Sequence, residues 1–139
     1  MKHLLVVASL FATAPAHATE LIKIYRDPSC GCCTSYAEYL TDHGYDVTII
    51  DDENVPERAE AAGVPEGGLS CHHSAVGGYG VHGHVPAEII DRLLARRPDV
   101  AGIVLPGMPE NSPDMAPEKY GTLKVFSYGP KGVALFSDE

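Results

Sequence analysis

Apolar positions crowd residues 21–25, LIKIY, which predicts a short strand ended by the breaker RDPS. A helix follows from Cys32 or Cys33 to His43, with Tyr36, Leu40 and His43 along one face and Gly44 as its stop. YDVTII at 45–50 is rich in β-branched residues and predicts a second strand. A second helix is expected over 55–62, capped by Asn54 or the acids before it and stopped by Gly63.

Glycine then loosens the pattern. GVPEGGLSCHHS reads as a loop, and AVGGYGVHG as one strand interrupted by glycine. The clearest helix is VPAEIIDRLLARRP, where Pro86 suits the first turn and Ile89, Ile90, Leu93 and Leu94 form an apolar stripe before Pro98. A short apolar piece and a Pro-rich loop, GIVLPGMPENSPDM, lead to a terminal hairpin of TLKVFSY and VALFS around GPKG. The expected order is β–α–β–α–β–α–β–β: one α/β domain with a βαβ start, no repeat and no second domain.

The first eighteen residues carry a different pattern. Lys2 and His3 precede the apolar run LLVVASLFATA, and Ala16-His17-Ala18 is an A-x-A cleavage pattern. Together they predict a secretory signal peptide over 1–18 and a mature domain over 19–139. The run is too short for a membrane span and no second one follows, so the expectation is a soluble, exported, periplasmic protein. Loss of Lys2 with the leader leaves nine Lys and Arg against 19 Asp and Glu, a net charge of −10. A chain that acidic repels nucleic acid, which excludes that class of partner.

Export makes the four cysteines informative, because idle thiols in an oxidising compartment tend to pair. Three of them, Cys30, Cys32 and Cys33, fall within PSCGCCTS, and only Cys71 is remote. The triplet lies between the first strand and the first helix, the place where thioredoxin-like proteins carry a redox pair. A helix N-terminus presents unpaired N–H groups and the positive end of the dipole, and both favour thiolate. Cys30 and Cys33 can close a disulfide, whereas a bond between the neighbours Cys32 and Cys33 is strained. A dithiol oxidoreductase using Cys30 and Cys33 therefore leaves Cys32 without a task.

A metal gives all three a task. Thiolates are soft ligands that select Cu(I), zinc or iron–sulfur clusters, and clustered sulfurs suit a polynuclear Cu(I) site as well as a single ion. The loop before the third strand carries Cys71 and His72 and is expected to pack against the cysteine turn. Two further readings stay open at this point. Cys71 can form a structural disulfide with one of the three, or Cys30, Cys33, Cys71 and His72 can make a tetrahedral zinc site. Met108 and Met115 share one Pro-rich loop and offer thioethers to Cu(I), although a methionine is more often core filler. Among the histidines, His72 ranks first as a ligand and His84 second. His73, His82 and His43 rank below them, with His82 and His84 expected on one face if Gly83 lies in a strand.

The ordered set CGCC, GVP, SCH, GY, GHVPAEIIDRLL, PGMP and SPDM, spread over about 21–136, resembles the CopG-type family of copper resistance proteins, long catalogued as a domain of unknown function. The resemblance implies a thioredoxin-like periplasmic protein with a cysteine-bridged copper cluster. It implies Cys30, Cys32, Cys33 and Cys71 as sulfur ligands, with His72, His84, Met108 and Met115 at recurrent positions of the family. Copper ions, and other periplasmic copper resistance proteins, are then the expected partners. His73 stands where the resemblance leads one to expect threonine.

Overall fold

The computed structural model describes residues 19–139, so the signal-peptide expectation over 1–18 lies outside the described residues. The chain runs β1 (Leu21–Arg26), α1 (Gly31–Asp42), β2 (Asp46–Asp51), α2 (Val55–Ala61), β3 (His72–Val76), β4 (Tyr79–His82), α3 (Ala87–Arg96), β5 (Gly102–Val104), β6 (Lys124–Gly129) and β7 (Gly132–Asp138). The strands form one seven-stranded sheet in the order β2-β1-β3-β4-β5-β6-β7. β1 is parallel to β2 and antiparallel to β3, β4 is parallel to β5, and the remaining pairs are antiparallel. The expected βαβ start, cysteine turn at the first helix and C-terminal hairpin are all present.

Alternation along the strands sorts side chains to two faces. Ile22, Ile24 and Ile103 pack with Tyr36 and Leu40 of α1 and with Ile89, Ile90 and Leu93 of α3. Val104 and Tyr128 pack on the opposite face with Ala59 of α2 and Val64. The helices therefore cover both faces, and the larger core lies under α1 and α3. His43, expected on the buried face of α1, is exposed beyond the helix end, where its Nδ1 lies 2.7 Å from the Tyr39 carbonyl.

The main correction to the sequence reading lies in the glycine-rich middle. AVGGYGVHG is not one strand. β3 and β4 form a hairpin with register Val76↔Tyr79, and the turn residues Gly77 and Gly78 have φ of 56° and 88°. Two positive φ values define the turn geometry that suits right-twisted strands, and Gly-Gly meets it without a Cβ penalty. The hairpin places His73 opposite His82. A second glycine, Gly80, keeps the α2 face of the sheet open: a Cβ there would lie 2.9 Å from His73 Cε1, and closer still to the Tyr128 hydroxyl.

Candidate metal centre

The cysteine turn forms where β1 gives way to α1. Pro28 cannot donate to a strand ladder, and Asp27 folds the chain back by accepting the Ser29 amide at 2.8 Å. The Cys30 amide then donates to the Asp27 carbonyl at 2.9 Å. Cys30 is the N-cap residue of α1, with extended backbone (φ −80°, ψ 97°), and Cys32 and Cys33 fall in the first turn, which carries no acidic residue. The helix therefore starts at Gly31, one or two residues before the expected Cys32 or Cys33.

Cys71 arrives by strand pairing. Because β3 runs antiparallel to β1, its entrance lies at the exit of β1, with Arg26 opposite His72. The next backbone link, from the Asp27 amide to the Cys71 carbonyl at 3.0 Å, fixes Cys71 against the cysteine turn. The four sulfur atoms of Cys30, Cys32, Cys33 and Cys71 all lie within 4.8 Å of one another. Cys30 and Cys33 are joined in a disulfide, while Cys32 and Cys71 are free thiols. Cys71 Sγ lies 2.7 Å from Cys30 and 3.4 Å from Cys33, and Cys30 Sγ lies 3.4 Å from Cys32. Cys33 is fully buried and Cys30 nearly so, whereas Cys32 and Cys71 are half-buried. Burial, and then the neighbouring Cys32, push the Cys71 thiol up to about 11.

Four buried histidines lie in two groups, one of which reaches this cluster. His72 Nδ1 lies 3.6 Å from Cys33 Sγ, and its ring packs beside Tyr36 and His84, with centroids 5.2 Å from each. His84 stacks on Tyr36 at 4.7 Å and donates from Nδ1 to the Pro113 carbonyl at 2.9 Å. That bond leaves the Nε2 of neutral His84 as a bare acceptor, and the buried Nε2 atoms of both His72 and His84 have no hydrogen-bond partner. Burial and then the adjacent His84 hold His72 down at about 3, so its ring is neutral and able to bind metal. His73 and His82 face each other, Nδ1 to Nδ1, at 3.3 Å. β4 ends at His82 and Gly83 turns the chain with φ 83°, so His82 meets His73 while His84 meets Tyr36; the two do not share a face.

Met108 and Met115 lie on the Pro-rich loop between β5 and β6 that Pro113 ties to His84. Met108 is half-buried with φ 45°, Met115 is exposed, and neither joins a core cluster of the described residues. The sequence pointed to the four cysteines, His72 and His84, but not to the role of Tyr36. The Tyr36 hydroxyl donates to the Val85 carbonyl at 2.7 Å, which holds the ring on which His84 stacks. Its only signal in the chain was an aromatic on the buried face of α1, which cannot be told from core filler.

A family profile described as "Protein of unknown function, DUF411" matches residues 69–115, which hold Cys71, His72, His84, Met108 and Met115. Two solved structures of copper resistance protein CopG, form 2 and form 1, match 88% of this chain at 31% identity. They are covered over 99% and 98% of their own lengths, with TM-scores of 0.80 and 0.79. Among curated proteins none matches this chain.

Proposed function

The chain belongs to the family of copper resistance protein CopG, and on that premise we propose that it is a periplasmic protein that sequesters or exchanges Cu(I) through Cys30, Cys32, Cys33 and Cys71. The observation that carries this reading is four sulfurs within 4.8 Å. Thiolates are soft donors that favour Cu(I), and a thiolate can bridge two ions. With metal–sulfur bonds of about 2.3 Å, a single tetrahedral ion would spread four sulfurs to about 3.8 Å apart. Cys30–Cys32 and Cys33–Cys71, each at 3.4 Å, stand close to that spacing, whereas Cys30 has to draw away from Cys33 and from Cys71, 2.7 Å away, once the disulfide is reduced.

His72 and His84, with bare buried Nε2 atoms, are the next ligands in this reading, and Met108 and Met115 supply thioethers from the loop anchored on His84. The positive end of α1 favours the thiolate charge, and a bound cation offsets the burial that raises Cys71. Export rests on the leader pattern of Lys2, the apolar run and Ala16-His17-Ala18. The order β2-β1-β3-β4, with α1 and α3 on one face and α2 on the other, supports a thioredoxin-like core extended by β5, β6 and β7.

One observation favours a second reading, thiol–disulfide exchange: Cys30 and Cys33 are already joined. Exchange proceeds when a thiolate approaches a sulfur along the line of the bond it breaks. Cys71 Sγ instead stands broadside to the Cys30–Cys33 bond, at 2.7 and 3.4 Å from its two ends. That triangle suits sulfurs that share ions better than a third thiol poised to attack.

The test is anaerobic titration of the reduced protein with Cu(I), followed by metal analysis and thiol counting. More than one Cu(I) per chain is expected. One zinc per chain with no stable copper uptake would overturn the copper reading.

A further inference from the structure

We propose that His82 is a positioning residue for the cysteine site: its Nε2 takes the amide hydrogen of Ser70 and thereby sets the thiol of Cys71, while His73 fixes the tautomer that makes this bond possible. The inference rests on the reading of Cys71 as a ligand and extends it to residues that touch no sulfur.

The Ser70 amide points at His82 Nε2 at 2.6 Å. A backbone N–H can only donate, so this nitrogen is the acceptor and the ring's proton sits on Nδ1. That Nδ1 faces His73 Nδ1 at 3.3 Å, and two protons cannot occupy that gap. His82 therefore donates to His73, and His73 carries its own proton on Nε2. His82 is fully buried and His73 nearly so, which shelters the bond between them from bulk solvent.

The same bonds exclude the obvious alternative. A separation of 3.3 Å matches the edge of a tetrahedral site whose metal–nitrogen bonds are about 2.0 Å. Metal on both Nδ1 atoms would force the His82 proton onto Nε2, against the Ser70 amide at 2.6 Å. Two donors do not meet at that distance. The pair is an orienting chain and not a second metal centre.

What the chain orients is the segment ahead of β3. Residues 69–71 belong to no helix or strand. Cys71 is held through its own carbonyl by the Asp27 amide at 3.0 Å, and one residue upstream by His82. Two backbone anchors flank the thiol, one supplied by the cysteine turn and one by the β3–β4 hairpin. Loss of the second frees the backbone to rotate Cys71 away from Cys30.

The experiment compares His82→Gln, His82→Asn and His82→Leu. Glutamine places an amide oxygen near the position of Nε2, whereas asparagine reaches only that of Nδ1. In the reduced, metal-free protein, alkylation of Cys71, read by peptide mass, should speed up in His82→Asn and His82→Leu. It should stay near the original rate in His82→Gln, with Cys32 unchanged throughout. Cu(I) affinity, read by competition with a chromophoric chelator, should fall about tenfold to a hundredfold in the first two and be rescued in the third. Equal losses in all three variants, or unchanged rates and affinity in His82→Leu, would overturn the inference. If His82→Leu fails to fold, the contrast of Gln with Asn decides. If the parent protein takes up no Cu(I), the copper reading fails, while the alkylation contrast still tests the positioning.

Discussion

Cys32 keeps a free thiol 3.4 Å from Cys30 Sγ although its neighbours in the turn are joined, and the two functional readings part on it. In dithiol chemistry it is a spacer, and Cys32→Ser should keep full reductase or oxidase turnover because the attacking and resolving thiols remain. In a copper cluster it is a ligand, and the variant replaces a soft thiolate with a hard hydroxyl. We expect copper stoichiometry to fall, dithiol turnover to be slight in both proteins, and the fold to survive, since serine is small and suits a helix start. A Cys32→Ser protein that retains its full copper load would remove the main reason for preferring metal. The cysteines were legible in the chain because three thiols in one turn are rare and chemically specific. The His73–His82 pair was not, because a proton's position on an imidazole depends on a partner that only strand pairing supplies.

At the scale of elements, the long periodic segments were legible and the glycine-rich one was not. α3 announces itself through Ile89, Ile90 and Leu93, all fully buried. α1, α2 and the β6–β7 hairpin fall within a residue or two of where periodicity and turn residues put them. β3 and β4 escaped because His72, His73, Ser74 and His82 are buried polar residues, so the period-2 alternation that marks a strand is hidden. The overlooked signal was Gly77-Gly78, a two-residue turn between short apolar runs. Its weight can be measured at Gly78, where φ is 88° and a Cβ would meet no neighbour within 4 Å. Gly78→Ala therefore tests backbone conformation alone. We expect a loss of about 1 kcal/mol, the usual cost of a left-handed non-glycine residue, with copper stoichiometry unchanged. Chemical denaturation read beside a Cu(I) titration checks both. An unchanged denaturation midpoint would mean that the turn relaxes without cost.

For the whole molecule, the buried histidines set the response to acid. Burial first, and then neighbouring positive or titrating groups, hold His72 at about 3 and both His73 and His82 at about 4. Each would titrate near 6.5 in the unfolded chain. Between those values the unfolded state binds more protons than the folded one, so stability falls as pH falls. The loss begins as pH drops through 6.5 and continues toward 4, at up to about 1.4 kcal/mol per pH unit for each ring. The carboxyls of Asp27, Asp52 and Asp99 act in a lower window. Hydrogen bonds from Ser29, Arg58 and Lys131, respectively, lower their values, so their stabilisation is lost only as pH falls below about 3.8. Glu88 and Glu139 are lowered too and begin to lose stabilisation toward 4.5, so the interval from pH 6.5 to 5.5 isolates the histidines. The metal-free protein should show a urea midpoint that declines steadily across it. His73→Asn keeps an acceptor near Nδ1 but removes one titrating ring, and it should make that decline shallower. A midpoint that is flat or rises toward pH 5.5 would show that these rings accept protons without leaving their buried sites. The imidazoles of this sheet would then be solvated groups, and His72 would no longer be a dry, neutral nitrogen ligand beside the four thiolates.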